Sequence, residues 1–439
     1  MESCRFPVEI CESIILACRD MQVSWITRNA TLIACALTCS AWLPYSRYSL
    51  YHRVVLSAAA QSDSFLLAIT ANPPRAAWVK VLEIWAYEYL PLARLLAPQL
   101  FKNCRHLSLG VEWQVYPPHY AHRVLVPLLG AHTEVVSLHL DFQLSYPGAA
   151  HACSMTFSQF LHILWSLPQL RRLVIRDAPP EIKLWHLTRF REKNEFCPNL
   201  EELHILGPKL CTLKHFAPPG LFGASVKTLK LELNAHETLS GTFSPAVLYR
   251  TPSLIGIIGE NMLLCINNFP ALEDLTLSIW FGISVLKKSL LRDVLSHVQP
   301  FSFTALTLEL GPSIGSYGMS RAELLEFVAG GAVAQTLGTF RKLADLRVSL
   351  TDEDPRFDDS WWARRLRELL PELKADVCVD VDVDTDFIAL WSKDVQSTAG
   401  ECECTEDRRH VKPRRVSAPK LGSFVVARLG VLSSRDGLC

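Results

Sequence analysis

Apolar and polar residues alternate in short bursts along most of the chain. VKVLEI (79–84), CRHLSL (104–109), EVVSLHL (134–140), SVKTLKL (225–231), TALTLEL (304–310) and LADLRVSL (343–350) place apolar side chains two apart, the period of a strand with one buried face. Four further stretches share Pro-x-Leu-x-x-[Leu/Ile]-x-[Leu/Ile/Gly]. These are Pro168 with Leu170, Leu173 and Ile175; Pro198 with Leu200, Leu203 and Ile205; Pro252 with Leu254, Ile257 and Gly259; and Pro270 with Leu272, Leu275 and Leu277. The pivotal residues fall at 82, 107, 138, 173, 203, 229, 257, 275, 306 and 346, mostly 25 to 40 apart. The 18-residue step from 257 to 275 is too short for a full unit, so one of those two copies is suspect.

Helical patterns lie between the strands. Ser158 to Trp165 precedes the strand at 173, Ser244-Pro245 opens AVLYR, and Ser320 with Glu323 forms a capping box before ELLEFVAGG. Ser360 precedes WWARRLRELL. A strand and a helix every 20 to 40 residues predict an α/β chain whose units bury their apolar faces by stacking. The pattern resembles leucine-rich repeats of a degenerate kind. The Asn or Cys of that family is replaced by Ala178, Pro208 and Trp280, so the resemblance implies an irregular solenoid. A doubly wound α/β domain shares the alternation and is the other reading. On the solenoid reading, Glu83, Ser108, His139, Val174, His204, Lys230, Thr276, Thr307 and Arg347 alternate with the core leucines and line the concave face. Arg172, Arg176, Glu202, Glu232, Asp274 and Glu309 flank them. Of these, Glu83, His139, Arg172, Arg176, His204, Lys230 and Arg347 are the candidate target-binding residues. A face of mixed sign suits a protein partner better than a phosphate backbone; an ordinary solvated strand face is the plainer reading. Trp85, Trp113, Tyr116, Tyr146, Trp280 and Phe281 sit near strand ends or in loops, where aromatics serve as core or as anchors.

The first 56 residues are different. Pro7 precedes VEICESIILACRD, in which Ile10, Ile14 and Cys18 recur four apart. A linker with Ser24, Thr27 and Asn29 follows, then Thr31 as N-cap of LIACALTCSAW, a helix apolar on nearly all sides. Pro44 is read as its end, and YSRYSLYHRVVL as a short helix running into a strand. Phe6-Pro7-Val8-Glu9-Ile10, then Leu32 and Cys35 to Pro44, then Arg47 and Leu50-Tyr51-His52-Arg53 resemble an F-box. The form is similar to that of the large F-box families of mushroom-forming fungi, with Phe6 where leucine is usual. The resemblance implies binding to the Skp linker subunit of an SCF-type ubiquitin ligase, and through it to cullin. It implies that Phe6, Pro7, Ile10, Ile14, Leu32, Leu37, Trp42 and Leu43 are buried in the module or against the linker. A small helical cap packed on the rest of the chain is the other reading.

Composition narrows the field. The 44 Lys and Arg balance 44 Asp and Glu, which removes the electrostatic case for binding nucleic acid. No apolar run is long enough for a membrane span, and the acidic N-terminus is unlike a signal peptide. The expectation is a cytoplasmic or nuclear protein with most of its 14 cysteines reduced. Cys402, Cys404 and His410 in the tail are a poor metal set. Gly311-Pro312-Ser313-Ile314-Gly315 matches G-x-S-x-G after a strand, but the helix signal starts about seven residues past Ser313, where a nucleophile elbow needs it at once. The only later histidine is His410, so a serine hydrolase is a minor alternative and no enzyme, cofactor or metal is expected. Val377, Val379, Val381 and Val383 face one way and Asp380, Asp382 and Asp384 the other, as in a final edge strand guarded by charge. From Ser397 the chain turns polar, with a basic run at 408–415. The organisation expected is a helical module over 1–56, a repeat body over 57–396 and a disordered tail over 397–439. The function expected is a substrate-recognition adaptor of an SCF-type ligase with an unknown protein substrate. The alternative is a non-ligase scaffold for protein–protein interaction.

Overall fold

A computed structural model describes residues 7–21, 23–86, 89–97, 100–111, 116, 120–142, 157–176, 197–206, 225–233, 266, 269–279, 290–299, 301–310, 320–351 and 357–384. Phe6, the Pro252 copy, Ser244-Pro245, Trp113, Tyr146, Trp280, Phe281, the Ser313 loop and the region 397–439 lie outside them. The chain divides into two compact units. Unit 1 comprises 1–204 with 220–223, and unit 2 comprises 205–219 with 224–439.

Unit 1 begins with three helices, α1 (Val8–Asp20), α2 (Trp25–Thr38) and α3 (Leu43–His52). Two sequence expectations are corrected here. The segment read as a linker is the first turn of α2, capped by Ser24, whose hydroxyl accepts from the Thr27 amide at 3.2 Å. Thr31 lies inside the helix and donates to the Thr27 carbonyl. Pro44 does not end α2; it occupies the first turn of α3, where its missing donor has no helical partner to lose. Strand β1 (Arg53–Leu56) follows, then α4 (Ala59–Ala71), a 3₁₀ turn (Pro73–Trp78), β2 (Val81–Ala86), the short α5 (Leu92–Leu95) and β3 (His106–Val111). After a π-turn (Ala121–Leu125) come α6 (Val126–Gly130), β4 (Ser137–Asp141), α7 (Phe157–Trp165), β5 (Arg172–Arg176) and β6 (Glu202–Leu206), through which the unit boundary runs. Although it falls within 1–56, β1 pairs with β2 and so belongs to the sheet.

Unit 2 holds β7 (Thr228–Leu233), β8 (Asp274–Ile279), α8 (Leu290–Ser296), β9 (Ala305–Leu310), α9 (Arg321–Ala329), α10 (Gly331–Gly338), β10 (Asp345–Thr351), α11 (Asp359–Leu369) and β11 (Cys378–Asp384). The capping box of Ser320 and Glu323 forms as expected. Helix α11 is capped by Asp358 rather than by Ser360, whose hydroxyl donates to the Asp358 carboxylate. That carboxylate also accepts the Trp361 amide, and the two bonds hold its pKa below the usual range.

Within each unit the strands run parallel and lie in chain order. A doubly wound sheet reverses its order at a switch point; neither set does. The pivotal leucines are direct partners. Val54, Leu82, Leu107, Leu138 and Leu173 form one row, and Leu229, Leu275, Leu306, Leu346 and Val379 another. The leucines of both rows are buried, so a one-residue slip of any strand would turn its leucines out to solvent. Strand β7 pairs directly with β8; the copy at 257 lies outside the described residues. The copy at 275 lies on β8.

The Pro-x-Leu signature has a local cause. Leu170, Leu200 and Leu272 donate their amides to Leu167, Cys197 and Phe269 three residues earlier. Pro168, Pro198 and Pro270 thus sit at the second position of a turn, where their fixed φ is favourable. The same turn joins Phe101 to Cys104 and Phe340 to Leu343 without proline. Next, the residue just before each strand donates to its counterpart one unit earlier: Arg105 to Lys80, Val136 to Arg105, Arg171 to Val136 and Glu201 to Arg171. Side chains repeat the link. Asn103 donates to the Ala77 carbonyl and Asn199 to that of Pro168, each at 3.0 Å, and Ser302 to that of Leu272 at 2.9 Å. Among the described residues no helix is long and apolar enough to cross a membrane.

Candidate functional site

Two surfaces hold the residues singled out from the sequence. The first is on the helical module. Its small core consists of Ile15, Leu32 and Cys35, with Cys18, Trp42, Tyr45 and Leu50 packed against it. On α1 the buried residues are Cys11 and Ile15, one position away from the Ile10 and Ile14 face expected to be buried in the module or against a linker. Ile10 is 47% exposed and Leu37 57%, whereas Leu32 is fully buried. Pro7 and Ile14 are also exposed and Leu43 half-buried. The apolar set thus divides into residues that build the module and residues that face outward.

The outward set is ordered. Ile10 and Ile14 recur along α1 at helical spacing, as do Ile26 and Leu37, three turns apart, along α2, and Met21 ends α1. Val8, Val23 and Trp25 add to it. Of the twelve large hydrophobic residues exposed among the described residues, eight fall between 8 and 37. Scattered exposed apolar residues are ordinary on a protein surface, and a concentration of them like this one is not. Helix α3 faces the other way: Tyr48 and Tyr51 set their rings edge-on to Trp78, at 5.9 and 6.2 Å. The Trp42 indole N–H and the Ser46 and Ser49 hydroxyls are buried without a hydrogen-bond partner.

The second surface is the strand face opposite the leucines. In unit 1 Glu83, Ser108, His139 and Val174 are register partners. One step along lie Trp85, Gly110, Asp141 and Arg176. Trp85 lies near the end of β2, as read from sequence, and on this face. Its indole lies on Gly110, where a Cβ would sit 2.2 Å from the ring. The indole N–H reaches Glu83 at 3.3 Å, and Glu83 takes Arg53 at 2.5 Å. His139 meets the indole edge-on at 5.2 Å, and its Nε2 is buried without a hydrogen bond. Burial, followed by the positive charge of Arg176, pushes its pKa down to about 4, so the ring is neutral at pH 7. Arg176 lies 3.8 Å from buried Asp141, and Arg172 lies 3.3 Å from Glu202. His204, half-buried on β6, shares this unit.

Lys230 and Arg347 belong to unit 2, on the row Lys230, Thr276, Thr307, Arg347 and Asp380. Lys230 reaches across β8 to Glu309, at 2.7 and 2.8 Å from its two oxygens, and the buried Ser278 hydroxyl donates to the same carboxylate. This lysine ties strands together rather than standing ready for a partner. Arg347 is exposed, 3.8 Å from Asp345. At the end of the unit Val377, Val379 and Val381 are buried, and Asp380 and Asp382 are exposed along β11. Asp359 accepts the Val383 amide. Among the described residues no three His, Cys, Asp or Glu converge to hold a metal ion. Trp85 and Gly110 are direct register partners on neighbouring strands, a relation that only the register shows.

No protein-family model matches the chain, and no curated protein matches it.

Proposed function

We propose that this protein is a substrate-recognition adaptor of an SCF-type ubiquitin ligase. Its N-terminal helices act as an F-box that docks on the Skp linker, and its strand–helix body acts as an irregular leucine-rich-repeat-like solenoid that holds a protein target. The observation that carries the reading is the ordered apolar surface of α1 and α2. Ile10, Ile14 and Leu37 are contact positions by the F-box resemblance, and they are solvated while Leu32 fills the module's core. The adaptor performs no chemistry; it raises the effective concentration of target beside the ubiquitin-charged enzyme. Chain-ordered parallel strands at 25 to 46 residue steps support stacked units. A cytoplasmic or nuclear location follows from the same reading.

The packing of Tyr48 and Tyr51 on Trp78 favours a second reading, in which the helices cap a non-ligase scaffold. The two are separated by co-purifying the full chain with the Skp linker. In the adaptor, Ile10→Asp with Leu37→Asp abolishes capture while circular dichroism is unchanged. Undiminished capture by the folded double variant, or no capture by the parent chain, overturns the adaptor reading. Mass spectrometry of the captured material names the target.

A further inference from the structure

The helical module places two cysteines of different helices in one small core. Cys18 of α1 packs, partly exposed, against the cluster that contains Cys35 of α2. Cys35 is buried, and burial and the neighbouring Cys18 thiol both push its pKa up. One thiol can therefore be reached by a small oxidant while the other waits behind it. These helices carry the two exposed apolar stripes, Ile10 and Ile14 on α1 and Ile26 and Leu37 on α2. Whatever fixes α1 to α2 fixes the geometry of that surface.

We infer that Cys18 and Cys35 are a redox-sensitive pair that hydrogen peroxide closes into a disulfide bridging α1 and α2. In the first step the Cys18 sulfur attacks one peroxide oxygen, giving the sulfenic acid and releasing water. In the second, the Cys35 sulfur attacks the Cys18 sulfur, and the sulfenic oxygen leaves as a second water with the Cys35 proton. Two thiols are oxidised by two electrons, and one peroxide is reduced to two waters. A dithiol reductant reverses the bond. The inference concerns the module itself and does not depend on which partner covers it.

The test uses the full chain, reduced, exposed to hydrogen peroxide, quenched with catalase and alkylated. Non-reducing tryptic mapping should then show peptide 6–19 joined to peptide 29–47. Because these peptides also carry Cys11 and Cys39, variants assign the link. It should vanish in Cys18→Ser and Cys35→Ala and persist in Cys11→Ala and Cys39→Ser. Cys18→Ser changes a partly exposed residue and keeps the result readable if Cys35→Ala fails to fold. Absence of the link in the folded parent chain, or its survival in Cys18→Ser, overturns the inference. The oxidised parent should also melt at a higher temperature than its reduced form; a lower melting temperature would show that the bond distorts the module and is not built into it.

Discussion

The helical module and the strands treat the same kind of residue in opposite ways. Along the strands of both units the pivotal leucines are buried in register, each stacked on the leucine of the next strand. Along α1 and α2 the core is a handful of side chains, and Ile26 is 63% exposed. The strands need their apolar residues to hold the sheet together, because a one-residue slip would turn them out to solvent. The module holds itself with Ile15, Leu32 and Cys35 and leaves Ile10, Ile14 and Leu37 in water, where they contribute nothing to its own stability. Their exposure is what the proposed docking surface would use.

Substitutions turn that contrast into measurable differences. The largest effect belongs to the leucine rows. Leu138→Ala in unit 1 and Leu306→Ala in unit 2 remove fully buried side chains, and each should cost about 2–5 kcal/mol in urea unfolding. Next is acid. The pKa of His139 lies at about 4 when folded, against 6.5 when unfolded, because of burial and of Arg176 and Arg172, with Glu83 opposing. The unfolded chain therefore binds the extra proton first. Stability should be undiminished above about pH 6.5 and fall by up to about 3 kcal/mol as the pH drops to 4, and His139→Gln should flatten that limb in urea titrations at stepped pH.

Gly110→Ala drives a methyl into the Trp85 ring and should cost about 1–3 kcal/mol, read as a lower urea midpoint. Lys230→Met, which frees half-exposed Glu309 from its cross-strand tie, should cost about 1 kcal/mol or less, with the difference shrinking in high salt. The smallest effect sharpens the contrast most. Leu37→Asp should change unfolding stability by no more than about 0.5 kcal/mol, while the same change at Leu32 unfolds the module in circular dichroism. Equal losses at both positions would break the division between building and presenting residues.

Several features were readable from residue patterns because they depend on neighbours a few positions apart. The strands at Leu82, Leu107, Leu138, Leu173, Leu229, Leu275, Leu306 and Leu346 follow from a period of two, and the capping box at Ser320 from a spacing of three. Errors arose where two local signals competed. Thr31 and Ser24 are both good caps, and only the run of the α1–α2 connection selects Ser24. Pro44 stops one helix or opens another with equal ease, and packing chose the second. On α1, Ile10, Ile14 and Cys18 recur four apart, as do Cys11 and Ile15, and the chain itself buries Cys11 and Ile15. Periodicity cannot say which of two apolar stripes meets a neighbour.

What the chain determined by itself is the α/β alternation, the strand positions and the turn that Pro168, Pro198 and Pro270 prepare, since these rest on backbone sterics and apolar spacing within one unit. Only the tertiary structure decided that β7 meets β8 directly, that Trp85 lies on Gly110, that Lys230 is tied to Glu309, and that Ile10 and Leu37 remain in water. Each of these is a relation between residues distant in sequence. Its sign depends on register and on which surface is covered, and no local pattern carries that information.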